Sequence, residues 1–162
     1  MGSQALDPKH DAAAVMVGLR RIVRMLRLAD RDAHTGHGLS AAQLYVLHAL
    51  FHAPAASLGE LATRTLTDQS SVSTVVAKLV ARRLVARTMA KQDRRRAEIR
   101  LTAAGERVVR RAPRVPQALI VDAVTEMPAR RRRELVRGLE TLITRVGANA
   151  VEPRMMFEED KR

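Results

Sequence analysis

Residues 57–102 read SLGELATRTLTDQSSVSTVVAKLVARRLVARTMAKQDRRRAEIRLT, and they contain two helix starts followed by two strand-like segments. Ser57 and Glu60 have the spacing of a capping box, which predicts the start of a short helix. The apolar face of that helix is predicted to hold Leu58, Leu61, Ala62 and Leu66. A turn at residues 66–68 precedes a second helix, whose apolar positions (72, 75, 76, 79 and 80) recur at helical spacing. This segment therefore predicts two short helices joined by a tight turn.

The second helix carries a polar face opposite its apolar positions. Short uncharged side chains and one cation form this face, which consists of Gln69, Ser70, Ser71, Ser73, Thr74 and Lys78. A solvated helix face more often carries Glu and Lys four residues apart. In a helix-turn-helix the second helix enters the major groove, where small hydroxyl side chains allow close approach and a glutamine suits adenine. The helix pair alone leaves open a Ser/Thr-rich helix that is simply exposed.

Residues 84–89 and 97–102 alternate in hydropathy and predict a β-hairpin. The tip between them concentrates positive charge around one acid: Lys91, Asp93, Arg94, Arg95 and Arg96. Such a tip suits a wing that lies along a DNA backbone with an arginine in the minor groove. The predicted fold is therefore mainly α with a small β-hairpin wing, that is, a winged helix-turn-helix with helical flanks.

Amphipathic segments flank this module on both sides. Residues 11–31 have helical apolar spacing and are followed by a predicted break at HTGHG, residues 34–38. Ser40 and Gln43 form a second capping box, which starts a helix that runs to about residue 52. A helix capped by Thr102 is predicted to be interrupted at Pro113 and Pro116.

The last predicted helix has an apolar seam at Leu135, Leu139, Leu142 and Val146. Neither this seam nor that of the first helix belongs to the compact module, so a two-fold related copy of the chain is expected to bury both. The predicted organisation is an N-terminal dimerisation helix (1–38), a DNA-binding module (39–105), C-terminal dimerisation helices (106–151) and a tail (152–162).

Composition indicates a partner that carries negative charge. The 162 residues have a formal net charge of +12, and 25 of the 29 basic residues are arginine, which forks onto phosphates and base edges. Only three Phe or Tyr rings and no Trp are present, too few for the stacking platforms of single-strand readers. Double-stranded DNA is therefore the predicted partner.

Several other classes of protein are disfavoured. Cysteine is absent, which excludes disulfides and thiol redox chemistry. No phosphate loop, nucleophile elbow or zinc-protease motif is present, so we predict no enzyme activity and no cofactor. No apolar run approaches a membrane span and no secretory signal is recognisable, so we expect a cytoplasmic, nucleoid-associated protein of a bacterium or archaeon.

The hairpin motif resembles the wing of the MarR family of winged helix-turn-helix regulators. That wing carries D-x-R, five residues and then L-T, matched here by Asp93, Arg95, Leu101 and Thr102. LSAAQLYVLHAL, from residue 39, is similar to the family's helix before the helix-turn-helix. The chain departs from the family at Arg83, where glycine is common; this residue adds a cation near DNA or changes the helix C-cap.

The resemblance implies a homodimeric, ligand-responsive transcription factor, usually a repressor, on a short pseudo-palindrome. It assigns Arg95 to the minor groove with Asp93 orienting it, and residues 69–71, 73 and 74 to the recognition helix. It also implies that the effector is a small anionic aromatic molecule bound between the dimer helices and the winged module. Candidate residues for that site are Arg20, Arg24, Tyr45, His48 and His52.

Two alternatives remain at this point. One alternative is a metal-responsive regulator, which is suggested by four histidines, His34, His37, His48 and His52, the last two one helical turn apart; no acidic residue lies near this set in sequence and no metal ligand is assigned. An architectural protein that binds DNA without sequence preference would also explain the charge. The polar face at residues 69–74 favours a sequence-specific regulator over an architectural protein, because a purely architectural protein has no need of it.

Overall fold

The computed structural model describes residues 7–89 and 97–156. Within them the chain forms seven α-helices and one two-stranded antiparallel sheet, which confirms the mainly helical fold with a small hairpin. The helices are α1 (Pro8–His37), α2 (Ala41–His52), α3 (Leu58–Thr65), α4 (Gln69–Ala81), α5 (Ala103–Arg111), α6 (Pro116–Glu126) and α7 (Ala129–Arg145). The strands are β1 (Val85–Met89) and β2 (Ala97–Leu101), and a 3₁₀ turn follows at Ala148–Ala150.

Helix α2 lies at the centre of the winged module because it is apolar around most of its circumference. Its residues Leu44, Val46 and Leu47 are almost fully buried, and the helix contacts α1, α3, α4, α5 and β2. The predicted capping box at its start is confirmed, since the Gln43 N–H donates to Ser40 Oγ (3.2 Å) and the Ser40 N–H donates to Gln43 Oε1 (3.0 Å). This helix gives the DNA-reading elements a rigid support.

Helix α3 begins at the predicted capping signal of Ser57 and Glu60, but the hydrogen bonds differ in one respect from a capping box. Ser57 Oγ accepts from the Glu60 N–H (3.0 Å), but the Glu60 carboxylate accepts from the Ala56 N–H (2.7 Å) rather than from Ser57. The expectation that Leu66 belongs to the apolar face is wrong. Leu66 is the left-handed C-cap of α3 (φ 51°), and this conformation turns its side chain outward to 69% exposure.

The hairpin pairs Val85 with Leu101 at its base and Met89 with Ala97 at its far end, so the predicted hairpin is confirmed. The hairpin also makes a further backbone contact, which the sequence did not indicate. Ala55 forms a two-way β-bridge with Ile99, through an Ala55 N–H to Ile99 O bond (2.9 Å) and an Ile99 N–H to Ala55 O bond (2.7 Å). This bridge fixes the base of the wing beside the start of α3.

Helix α1 is longer than predicted and continues through residues 34–37 of the expected break. Side chains in this segment bond back to the preceding turn, with His34 Nδ1 2.9 Å from the Asp30 carbonyl oxygen and Thr35 Oγ1 donating to the Arg31 carbonyl (3.1 Å). The helix ends at Gly38, whose φ of 62° suits glycine. The first predicted dimerisation element therefore forms one unbroken helix up to Gly38.

The flanking helices expose apolar side chains. Helix α7 has no buried residue, and the predicted seam of Leu135, Leu139, Leu142 and Val146 is 36–67% exposed. The predicted proline break is confirmed, since α5 ends at Arg111 and α6 begins at Pro116. The predicted module boundary at residue 105 falls inside α5.

Candidate DNA-binding surface

The candidate recognition helix α4 begins at a tightly bonded acidic cap. Asp68 Oδ1 accepts from the Ser71 N–H (2.8 Å) and from Ser70 Oγ (2.5 Å). These hydrogen bonds from the Ser70 and Ser71 hydroxyls and the Ser71 N–H hold the pKa of Asp68 well below its ordinary value. The cap therefore stays ionised and supports the first turn of the helix throughout the physiological pH range.

Most of the predicted polar face lies at the surface. Gln69 and Ser70 are exposed, and Ser73, Thr74 and Lys78 are partly exposed. Ser71 departs from the prediction, because it is only 2% exposed and its hydroxyl accepts from the Met155 N–H (3.4 Å). We therefore exclude Ser71 from the candidate reading face, which is formed by Gln69, Ser70, Ser73 and Thr74 with Lys78 below them.

Two hydroxyls of this face already donate hydrogen bonds within the helix region. Ser70 Oγ donates to the Asp68 carboxylate, and Thr74 Oγ1 donates to the Ser70 carbonyl oxygen (3.2 Å). Their lone pairs point outward as acceptors, while Gln69 can both donate and accept. The arrangement is that of a short, fixed set of hydrogen-bonding groups able to meet base edges in a major groove.

The predicted wing tip, with Asp93, Arg94, Arg95 and Arg96, lies outside the described residues. The strands that lead to it are described, and they add one cation that sequence reasoning missed. Arg87 on β1 is exposed and lines a groove with Gly59 and Gln69, between the starts of α3 and α4 and the wing. The alternation of residues along the predicted strand was the signal that could have indicated an exposed side chain at Arg87. The base of the wing and the reading helix thus form one continuous surface.

The five candidate effector residues do not share one pocket in the protomer. Arg20 and Arg24 line a groove along α1, whereas His52 lines a separate pocket with Arg100 and Arg110. Tyr45 and His48 line neither of these. The structure therefore divides the predicted set among separate regions of the chain.

His48 and Tyr45 are both partly buried on α2. Burial, with smaller contributions from the charges of His52 and Arg114, lowers the pKa of His48 despite its bond to the Pro113 backbone. Burial and the Asp122 charge raise the pKa of Tyr45. Within the described residues His48 Nε2 is buried without a hydrogen-bond partner. Both side chains are therefore predominantly neutral near pH 7.

A pocket of about 310 Å³ lies between α1, the start of α2 and the link from α5 to α6. It has apolar walls and three polar or charged side chains, and is lined by Ala29, Asp32, Ala33, His37, Leu44, Pro113, Arg114, Val115 and Pro116. Arg114 Nη2 also lies 2.6 Å from Asp122 Oδ2. Sequence analysis did not assign His37 or Arg114 to the effector site, and for Arg114 the signal available was the pair of prolines around it, Pro113 and Pro116. The pocket therefore combines apolar walls with one acidic side chain, Asp32, and the nitrogen-bearing side chains of His37 and Arg114.

The parts of the chain that the structure describes bear on two further predictions. Across residues 7–89 and 97–156, no group of three or more His, Asp or Glu side chains is arranged to hold a metal ion. Over the same ranges, none of the helices combines the length and apolar character needed to cross a membrane.

Comparison with known proteins agrees with this geometry. The MarR family model matches residues 37–96, which include α2, α3, α4 and β1. No curated protein sequence matches the chain. Among solved structures, the transcriptional regulator BldR from Sulfolobus solfataricus is 25% identical with a TM-score of 0.53, over 86% of this chain and 99% of that chain.

Two further solved structures are similar. A MarR family protein from Mycobacterium tuberculosis is 28% identical with a TM-score of 0.51, over 81% of this chain and 95% of that chain. Bordetella bronchiseptica BpsR, whose DNA binding is regulated by 6-hydroxynicotinic acid, is 27% identical with a TM-score of 0.50, over 88% and 96% of the two chains.

A capped helix pair with a polar second helix and a hairpin wing defines a winged helix-turn-helix DNA-binding protein. The family match and the structural relatives specify the class further. Residues 37–96 match the MarR family model, and over most of its length the chain is similar to solved structures of a transcriptional regulator and of a MarR family protein.

Proposed function

We propose that this regulator is a homodimeric repressor that holds a pseudo-palindromic operator and releases it when a small aromatic or phenolic acid binds. It acts in the cytoplasm on nucleoid DNA. The observation that carries the proposal is the exposed set of Gln69, Ser70, Ser73 and Thr74 on the first turns of a well-capped α4. A charge-only DNA binder has no use for such a set.

The dimer follows from the unburied flanking helices. Val15, Ile22 and Val23 on α1 and Leu139 and Ile143 on α7 are all more than 40% exposed in the protomer. Side chains of this size on two long helices need a partner surface, and a second copy related by two-fold symmetry supplies the same faces in return. Two recognition helices related in this way match a two-fold operator.

The effector class follows from the pocket between α1, α2 and the α5–α6 link. Arg114 and His37 offer hydrogen-bond donors to a carboxylate, and Leu44, Val115 and Pro116 offer apolar walls to a ring. The pocket lies where the dimerisation helices meet the winged module, so an occupant can change the angle between them. Regulation of BpsR by 6-hydroxynicotinic acid supports the same class of effector here.

The DNA-binding part is tested by footprinting and titration on the DNA that flanks the gene. We expect a protected two-fold site and a Kd at least about 10³-fold lower than for random duplex. Arg95→Ala should weaken operator binding and lower the salt slope by about one, whereas Arg133→Ala, which removes the same charge from exposed α7, should change neither. Equal affinity for every duplex would favour the architectural alternative and refute the proposal.

The effector part uses 6-hydroxynicotinic acid and benzoic acid as probes. Either acid at saturating concentration should raise the operator Kd, and Arg114→Ala should reduce that response while the Kd without acid stays within about twofold. An operator Kd that responds to zinc and a chelator, and to neither acid, would favour the metal-responsive alternative instead.

A further inference from the structure

Residues 154–156, which follow α7 and the 3₁₀ turn, return to the winged module. After the 3₁₀ turn the chain reaches Met155, which is 5% exposed and packs in the same apolar core as Val72 and Val75 of α4. Residues so far beyond the last helix are commonly poorly ordered unless something ties them down. We name residues 154–156 the C-terminal strap.

Two hydrogen bonds hold the strap between α4 and α6. The Met155 N–H donates to Ser71 Oγ (3.4 Å), and the Met156 carbonyl oxygen accepts from Gln117 Nε2 (3.4 Å). The Ser71–Met155 bond is buried, with Ser71 2% and Met155 5% exposed, whereas the Gln117–Met156 bond is part-buried. A polar group that loses its partner in a buried position remains desolvated, which makes its bond costly to break.

The strap meets α4 at its first turn. Ser71 is the third residue of the helix, and its backbone N–H donates to the Asp68 cap. Gln69, Ser70 and Ser73 of the reading face lie within two residues of Ser71. Any shift of Ser71 therefore moves the groups that would face the bases.

We infer that the C-terminal strap is a positioning element for DNA reading, in which Met155 and its bond to Ser71 hold the first turn of α4 in register with the dimerisation region. The DNA part of this inference rests on the proposed function. The strap follows α7 after the 3₁₀ turn, so it forms a third link between the dimerisation helices and the winged module, in addition to the α1–α2 and α5–α6 connections. The winged module itself does not supply this link.

The first test uses hydrogen exchange of the full-length chain without DNA. Met155→Ala removes the buried side chain and should increase amide exchange in residues 69–73 by about tenfold or more, because the cavity loosens its surroundings. Exchange in α2 should stay within about twofold. Met156→Ala, at a position 46% exposed, is the matched control and should change neither, and Met155→Leu should restore protection by refilling the volume.

The second test measures Kd for operator and for random duplex at a temperature where every variant is folded. Met155→Ala should raise the operator Kd about tenfold and leave the random-duplex Kd within about twofold, since phosphate contacts tolerate a shift that base contacts do not. Gln117→Leu removes the Met156 contact without altering α4 and should act in the same direction, which keeps the test decisive if Met155→Ala fails to fold.

Outcomes of these tests separate the two proposals. Equal loss of protection in α2 and in residues 69–73 would make Met155 an ordinary core residue and overturn the inference, as would unchanged exchange in both. Operator and random-duplex Kd values that rise together would overturn it too. If the unaltered protein does not discriminate between the duplexes, the proposed function fails, and exchange at residues 69–73 alone then decides whether the strap positions α4.

Discussion

Replacement of Arg83 by glycine should stabilise the protein. Helix α4 ends in a Schellman motif, in which the Arg83 N–H donates to the Val80 carbonyl (2.8 Å) and the Leu84 N–H donates to the Leu79 carbonyl (3.0 Å). This geometry requires a left-handed residue, and Arg83 supplies it with a φ of 57°. Arginine carries a Cβ that crowds the carbonyl oxygen in that conformation, whereas glycine does not.

The magnitude combines two opposing terms. Relief of the left-handed conformation is worth about 1–2 kcal/mol, and the extra freedom of glycine in the unfolded chain costs about 0.4–1 kcal/mol. The net gain for Arg83→Gly is therefore about 0.5–1 kcal/mol. For a chain of this length that corresponds to a rise in Tm of roughly 1–4 °C.

Arg83→Ala is the matched control, because it removes the same charge and keeps the Cβ. Urea unfolding should give a higher midpoint for the glycine variant than for the alanine variant at an unchanged m-value. The comparison cancels any effect of lowering the +12 net charge. A glycine variant no more stable than the alanine variant would refute the assignment of strain to Arg83.

Three further outcomes are expected. Gly105→Ala should destabilise the protein by about 3 kcal/mol or more in urea unfolding, because the added Cβ would overlap the Leu84 backbone carbonyl. Gly18→Ala, at a position with open space around it, is the control and should stabilise α1 by about 0.5–1 kcal/mol. Equal effects of the two substitutions would contradict the packing described. Asp68 has a folded-state pKa below its unfolded value, so it stabilises the fold above pH ~4 and loses that contribution as pH falls through the folded pKa. Asp68→Asn should therefore flatten the decline of Tm between pH ~4 and ~2. Parallel plots of Tm against pH for the two proteins would contradict this assignment. Leu139→Glu places a charge on the exposed seam of α7 and should shift the chain from dimer to monomer in light scattering, so an unchanged mass would exclude that seam from the interface.

Local signals in the sequence predicted most of the winged module. The Ser40–Gln43 box, the Thr102 cap and the alternating strands all correspond to structure, because each depends on residues close together in the chain. The Ala55–Ile99 bridge was not predictable in this way, since one paired residue has no periodicity. Long-range pairing of this kind becomes visible only once the helices are assembled.

The exposure expected for the polar face of α4 fails at one residue, Ser71. Its polar side chain suggested exposure, but Ser71 precedes Val75 by one helical turn and so borders the apolar stripe. The tail covers that border through Met155, a residue outside every predicted element. The prediction that Ser71 is exposed rested on its residue type, whereas Ser71 is buried because a segment distant in sequence packs against it.

The bonding of Ser70 and Thr74 restricts what an operator can offer them. Both hydroxyl hydrogens are committed inside the protein, to Asp68 and to the Ser70 carbonyl. If α4 reads DNA as proposed, these side chains accept rather than donate, and their complements in the major groove are amino groups, which adenine presents at N6 and cytosine at N4. Opposite either side chain, guanine O6 or thymine O4 would place one hydrogen-bond acceptor against another. The hydroxyl network at the start of α4 thus leaves Ser70 and Thr74 as acceptors, while Gln69 beside them can donate as well as accept.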